Sequence, residues 1–208
     1  MWHRACLGQD IILHMPEVVA AFLSSTSPAL RKHILNDLAA AVGPSLRDNE
    51  KEKMIHTELY FPDQQSALSI VHQGRVKLQN KSFSRQGWCY KTIPLTQNQL
   101  ENVQKFANST VNDKFNGQGY FMPCGIGTKQ LAHTMQDPTN ASGIARTWYC
   151  SELVTHALAA AGSQELLQDL CINQFTCLHP HSLYRALCDS DITYATAPEF
   201  KLEMINYA

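Results

Sequence analysis

Two residues of this chain, a cysteine and a histidine, stand in sequence settings that suit nucleophilic chemistry. The stretch Trp148-Tyr149-Cys150-Ser151-Glu152-Leu153-Val154 puts Cys150 at or just before the start of an amphipathic helix. Leu153, Val154, Ala157, Leu158 and Ala161 make the apolar stripe of that helix, and Gly162 stops it. Amides and the macrodipole at a helix N-terminus favour a thiolate, the form that attacks a carbonyl. The backbone amide of Cys150 would face the developing oxyanion. Taken alone, Cys150 reads more plainly as a small core residue, because free cysteine is among the most buried residue types.

A nucleophile needs a base, and His56 opens the segment His56-Thr57-Glu58-Leu59-Tyr60-Phe61. A histidine projecting from a stiff strand suits that role, although a strand-end histidine half in water is the plainer reading of His56 alone. His156 lies six residues after Cys150, about 120° away around the helix, and does not easily reach the thiol. His133, in an irregular loop, is a further candidate. The base in turn needs an orienting group. Alternation puts Glu58 and Tyr60 on the face of His56. A five-residue hairpin loop from Pro62 to Ser66 would set His72 opposite His56, whereas a four-residue loop would set Val71 there. The preferred partner is His72, with Glu58 second; a slip of one residue reverses the face of His72.

The elements that must position these groups are legible in outline. Pro16 and the spacing of Val18, Val19, Phe22 and Leu23 predict a helix. Ser27-Pro28, then Leu30, Ile34, Leu38 and Ala41, closed by Gly43-Pro44, predict a second. Met54 to Phe61 and Ala67 to Val71 predict a β-hairpin around Pro62-Asp63-Gln64-Gln65. Val76 to Leu78 and Cys89 to Leu95 are further strands, and Thr96 precedes a helix over Gln97 to Val111. Asn112 to Asp137, with Gly117, Gly119, Gly125 and Gly127, reads as an irregular loop. Helical pieces near Glu165 to Leu170 and His181 to Cys188 follow. Helices, then strands, then helices argue for an α+β fold.

At this point the chain resembles a known family. Cys150-Ser151-Glu152-Leu153-Val154, with Ala159-Ala160-Ala161-Gly162 closing the helix, looks like the cysteine helix of the permuted papain-like cysteine hydrolases of the NlpC-type superfamily. The nearest branch is the YiiX-like proteins, with lecithin:retinol acyltransferase-like enzymes more distant. His56-Thr57-Glu58-Leu59-Tyr60 resembles the histidine strand of that family. Ala67 to His72 resembles the second strand, and Ile93-Pro94-Leu95-Thr96 with the following helix resembles the connection. The likeness spans roughly Ile55 to Gly162, about half the chain. It departs at Glu58, where the family usually has glycine, and at His72, often Glu in the YiiX-like branch.

The resemblance implies a circularly permuted papain-like core, a small antiparallel sheet packed on the cysteine helix, with extra N-terminal helices. Residues 1–50 would form an N-terminal helical extension, and 51–208 the papain-like domain with a C-terminal helical tail. The implied activity is a thiol hydrolase or acyltransferase on an amide or ester acyl group, through Cys150, His56 and His72 or Glu58. Tyr149 is a candidate oxyanion contact, and Tyr120 and Phe121 are candidate substrate contacts. The acyl substrate could be a peptide, a peptidoglycan-like amide or a lipid ester, with no cofactor and no metal. A non-catalytic structural or interaction module on the same fold is the alternative.

Composition bounds the remaining classes. Lys+Arg 17 against Asp+Glu 18 gives a formal net charge of −1, so no overall field attracts nucleic acid or an anionic bilayer. No apolar stretch approaches the roughly 20 residues of a transmembrane span. His14, Pro16 and Glu17 interrupt any signal-peptide core. Seven cysteines, an odd number in a chain of 208 residues, read as reduced thiols in a cytoplasmic compartment. Cys171, Cys177, His179 and His181 have zinc-ligand types but not the usual spacing. The glycines of the loop form neither a phosphate loop nor a dinucleotide fingerprint. Ser151 lacks a nucleophile elbow and is better read as a helix-cap residue.

Overall fold

The computed structural model describes residues 15–27, 52–70, 74–83, 87–116, 147–173 and 179–193. Among them the chain is mixed α+β. Strands β1 (Glu17–Ser24), β2 (Met54–Phe61), β3 (Ser66–Ser69), β4 (Lys77–Asn80) and β5 (Trp88–Pro94) form one antiparallel sheet in the order β4-β3-β2-β1-β5. Helices α1 (Gln97–Thr110), α2 (Cys150–Ala159), α3 (Gln164–Asp169) and α4 (Pro180–Asp189) follow. Between α1 and α2, β6 (Lys114–Phe115) and β7 (Thr147–Trp148) pair in parallel. No helix among the described residues is long and apolar enough to cross a membrane.

The largest correction concerns β1. The helix expected from Pro16 onward is a strand between β2 and β5, with Val19 opposite both Tyr60 and Thr92. Its sequence EVVAAFLS is buried on both faces. A strand covered on two sides carries a continuous apolar run, and such a run also satisfies helical spacing. Two partner strands decide between the readings. Residues 17–24 therefore belong to the same sheet as β2, and a boundary at residue 50 would cut that sheet. The second expected helix, over residues 28–43, lies outside the described residues.

Val18, Ala20 and Phe22 of β1, Leu59 and Phe61 of β2, Leu68 and Ile93 face one apolar core. Leu100, Val103 and Phe106 of α1 close it, with Leu153, Val154, Ala157 and Leu158 of α2 and Leu183 and Leu187 of α4. The opposite face carries a smaller cluster of Val19, Ala21, Tyr60, Ala67, Phe83 and Tyr90. Local signals set the helix ends. Thr96 and Gln99 form a reciprocal capping box at α1. Past α2, Gly162 adopts φ +82°, a left-handed conformation that favours glycine.

The hairpin differs from expectation in register. Phe61 pairs with Ser66 and Leu59 with Leu68. The loop is therefore the four residues Pro62 to Gln65, with Gln65 at φ +50° closing a 3-10 turn. The pairing of His56 with His72 depended on the five-residue alternative and loses that basis; His72 itself lies outside the described residues.

Candidate active site

Cys150 is the first residue of α2 and follows Tyr149 in extended backbone at the cap position. The approach to the helix is pinned from two sides. Lys114 and Phe115 pair with Thr147 and Trp148, and Asn116 N–H donates to the Trp148 carbonyl at 2.7 Å. Trp148 Nε1 donates to Asp113 Oδ2 at 2.8 Å, and its ring packs edge-on against Phe106 and His156. Cys150 is 3% exposed, and Tyr149 is fully buried.

His56 stands at an irregularity in the sheet. Leu23 pairs with His56 and Ser24 with Met54, so Ile55 is the extra residue of a bulge. Bulges re-aim the side chains beside them. Here the backbone N–H of Met54 donates to Nδ1 of His181, at the start of α4, over 3.3 Å. His181 thus braces the bulge from the helical side, and its own N–H is taken by Nδ1 of the helix-capping His179 at 3.1 Å.

The histidine joins two other reactive groups. Nε2 of His56 lies 3.1 Å from Oε1 of Glu58, as strand alternation requires of residues two apart. The same imidazole also interacts electrostatically with Cys150. Burial by itself pulls the His56 pKa down. The Cys150 charge and hydrogen bond, followed by those of Glu58, outweigh it and raise the pKa to about 10. Burial likewise pushes Glu58 up, but its hydrogen bond and charge contact with His56, and then Lys81, hold its carboxyl below the ordinary value. The two shifts run in opposite directions, as expected of an imidazole and a carboxylate that stabilise each other's charged forms.

Lys81 was not anticipated from the sequence. Its Nζ contacts Oε1 of Glu58, the oxygen that meets His56. The ammonium also lies 5.0 Å from the Phe83 ring centroid and 5.2 Å from that of Trp88. Trp88 in turn stands edge-on to His56, with centroids 6.3 Å apart. Bringing Lys81 to Glu58 requires the registers of β3 and β4 together, which no local pattern encodes.

The structure therefore brings His56 and Glu58 into contact, with Cys150 close enough to influence the imidazole electrostatically. Solvent reaches the group chiefly through the imidazole, whose side chain is 19% exposed, against 2% for Glu58. Tyr149 adjoins Cys150 in the chain. Tyr120, Phe121 and His133 lie outside the described residues, as does Cys177. His156 packs on Trp148. Among the described residues no group of three or more His, Cys, Asp or Glu side chains could hold a metal. Of the other thiols, Cys171 and Cys188 are exposed. The half-buried Cys89 is pushed up in pKa by burial, then by the charges of Glu52 and Cys188.

Compared with known proteins, the chain matches no family model, no curated protein and no solved structure.

Proposed function

We propose that the chain is a cysteine hydrolase or acyltransferase of permuted papain-like type, with Cys150 as nucleophile, His56 as acid and base, and Glu58 as the group that orients His56. The observation that supports the reading is the contact of His56 with the buried Glu58 carboxylate, on an imidazole that also interacts electrostatically with Cys150 at a helix N-terminus. This is the nucleophile–base–orienter arrangement. The resemblance of the Cys150 helix and the His56 strand to the NlpC-type hydrolases points the same way. The thiolate adds to an amide or ester carbonyl, the Cys150 amide faces the oxyanion, and His56 protonates the leaving group. The thioester passes its acyl group to water or to an acceptor alcohol or amine. The substrate is an acyl compound of the peptide, peptidoglycan-like or lipid class.

Burial of Cys150 favours a second reading, a non-catalytic module on the same fold. Alkylation separates the two. With iodoacetamide at neutral pH and peptide mass spectrometry, an enzyme labels fastest at the buried Cys150 and loses that selectivity in His56→Ala. Labelling that follows exposure, with Cys171 and Cys188 first and Cys150 silent, would overturn the catalytic reading.

A further inference from the structure

Glu58 meets two basic side chains at once. Its Oε1 meets both His56 Nε2 and Lys81 Nζ, while Oε2 is buried with no hydrogen-bond partner. The residue is 1% exposed and stands opposite Ala21 on β1. An ionised carboxylate in such a place persists only beside positive charge. In the reaction proposed above, His56 supplies that charge before attack. Once it has protonated the leaving group it supplies none. Lys81 takes no part in that proton transfer, and the Phe83 and Trp88 rings lie close to its ammonium.

We propose that Lys81 is a positioning residue that keeps Glu58 ionised, and hence the His56 ring aimed at the Cys150 sulfur, during the half of the cycle in which the imidazole is neutral. The inference rests on the Cys150–His56 reading. In the first half, the thiolate adds to the carbonyl, the bond to the leaving group breaks, and the His56 proton goes to the leaving atom. A thioester and a neutral imidazole remain. In the second half, water gives a proton to His56 as its oxygen adds to the thioester carbon. The carbon–sulfur bond then breaks, releasing the carboxylic acid and restoring thiolate and imidazolium. Without Lys81, the buried Glu58 takes up a proton when the imidazole is neutral, and the charge that orients Nε2–H is lost. The second half slows. The first half, in which His56 itself is the cation beside Glu58, is spared.

The test uses p-nitrophenyl acetate as the acyl probe, with intact-protein mass spectrometry following the acetyl adduct on Cys150, and iodoacetamide reporting the nucleophile. In Lys81→Gln the alkylation rate of Cys150 stays within about twofold of the parent, while loss of the acetyl group slows about tenfold or more. Lys81→Arg, which keeps the charge, restores it. Deacetylation at the parent rate in Lys81→Gln would overturn the inference. So would equal slowing of alkylation and deacetylation, the mark of a merely structural role, or failure of Lys81→Arg to recover. A parent protein that takes no label at Cys150 would instead sink the nucleophile reading, and the inference with it.

Discussion

Replacing Cys150 by alanine should lower the pKa of a histidine almost a hundred positions away in sequence. His56 is raised from 6.5 to about 10, which corresponds to about 5 kcal/mol in favour of the protonated ring. Burial opposes that rise, and Cys150 contributes more to it than Glu58 does. Cys150→Ala removes the contribution of Cys150 and leaves burial and Glu58 in place. The expected fall is about 1–3 pH units. The assay is the titration of imidazole nitrogens by long-range proton–nitrogen correlation, with the His56 signals assigned by their absence in His56→Ala. Stability follows the same sign. A group whose folded pKa is raised contributes stability that is fully present below its unfolded pKa, here about 6.5. That stability is lost as pH rises through the folded pKa, here about 10. Between those limits the parent should lose more unfolding free energy than Cys150→Ala. A His56 midpoint that does not move when the sulfur is removed would refute the juxtaposition on which the site is built.

Two further substitutions probe the supports of the site. Glu58→Gln keeps the shape but not the charge; turnover of an acyl probe should fall by about tenfold or more, and the His56 titration should move down, both checked on one preparation against the parent. His181→Ala leaves the buried Met54 amide without its acceptor, at a cost of about 1–3 kcal/mol. Urea denaturation should register that cost, and hydrogen exchange should quicken at Met54 first; an unchanged Met54 amide would mean that His181 does not brace the bulge.

The parts of this architecture written in local chemistry were legible in the sequence. The helix start after Thr96, the cysteine at the head of a helix, the stop at Gly162 and the hairpin around Pro62 each depend on residues a few positions apart. What was not legible depends on distant partners. The run Val18-Val19-Ala20-Ala21-Phe22-Leu23 satisfies a helical spacing as well as a strand buried on both faces, and only β2 and β5 decide it. The hairpin register turned on one residue of loop, and that residue separates Val71 from His72 as the position opposite His56. Glu58 ranked second as the orienting group, behind the cross-strand His72 of a five-residue hairpin loop; its hydrogen bond to His56 comes from strand alternation alone. Lys81 left no signal at all, being 23 residues from Glu58 along the chain.

The placement of Glu58 argues against a purely structural account of this sheet face. Its neighbours there are Val19, Ala21, Tyr60 and Tyr90, a surface that an apolar residue at position 58 would extend. Burying a carboxylate in that setting costs several kcal/mol, and a well-packed apolar replacement for a buried ionic network is often neutral or stabilising. The chain instead holds an ionised carboxyl with one oxygen shared between two cations and the other without a hydrogen-bond partner. Violations of local packing rules concentrate where function requires them. A charge held in so unfavourable a place, against an imidazole that also interacts with Cys150, fits the proposed role of orienting that imidazole better than a role in fold stability alone.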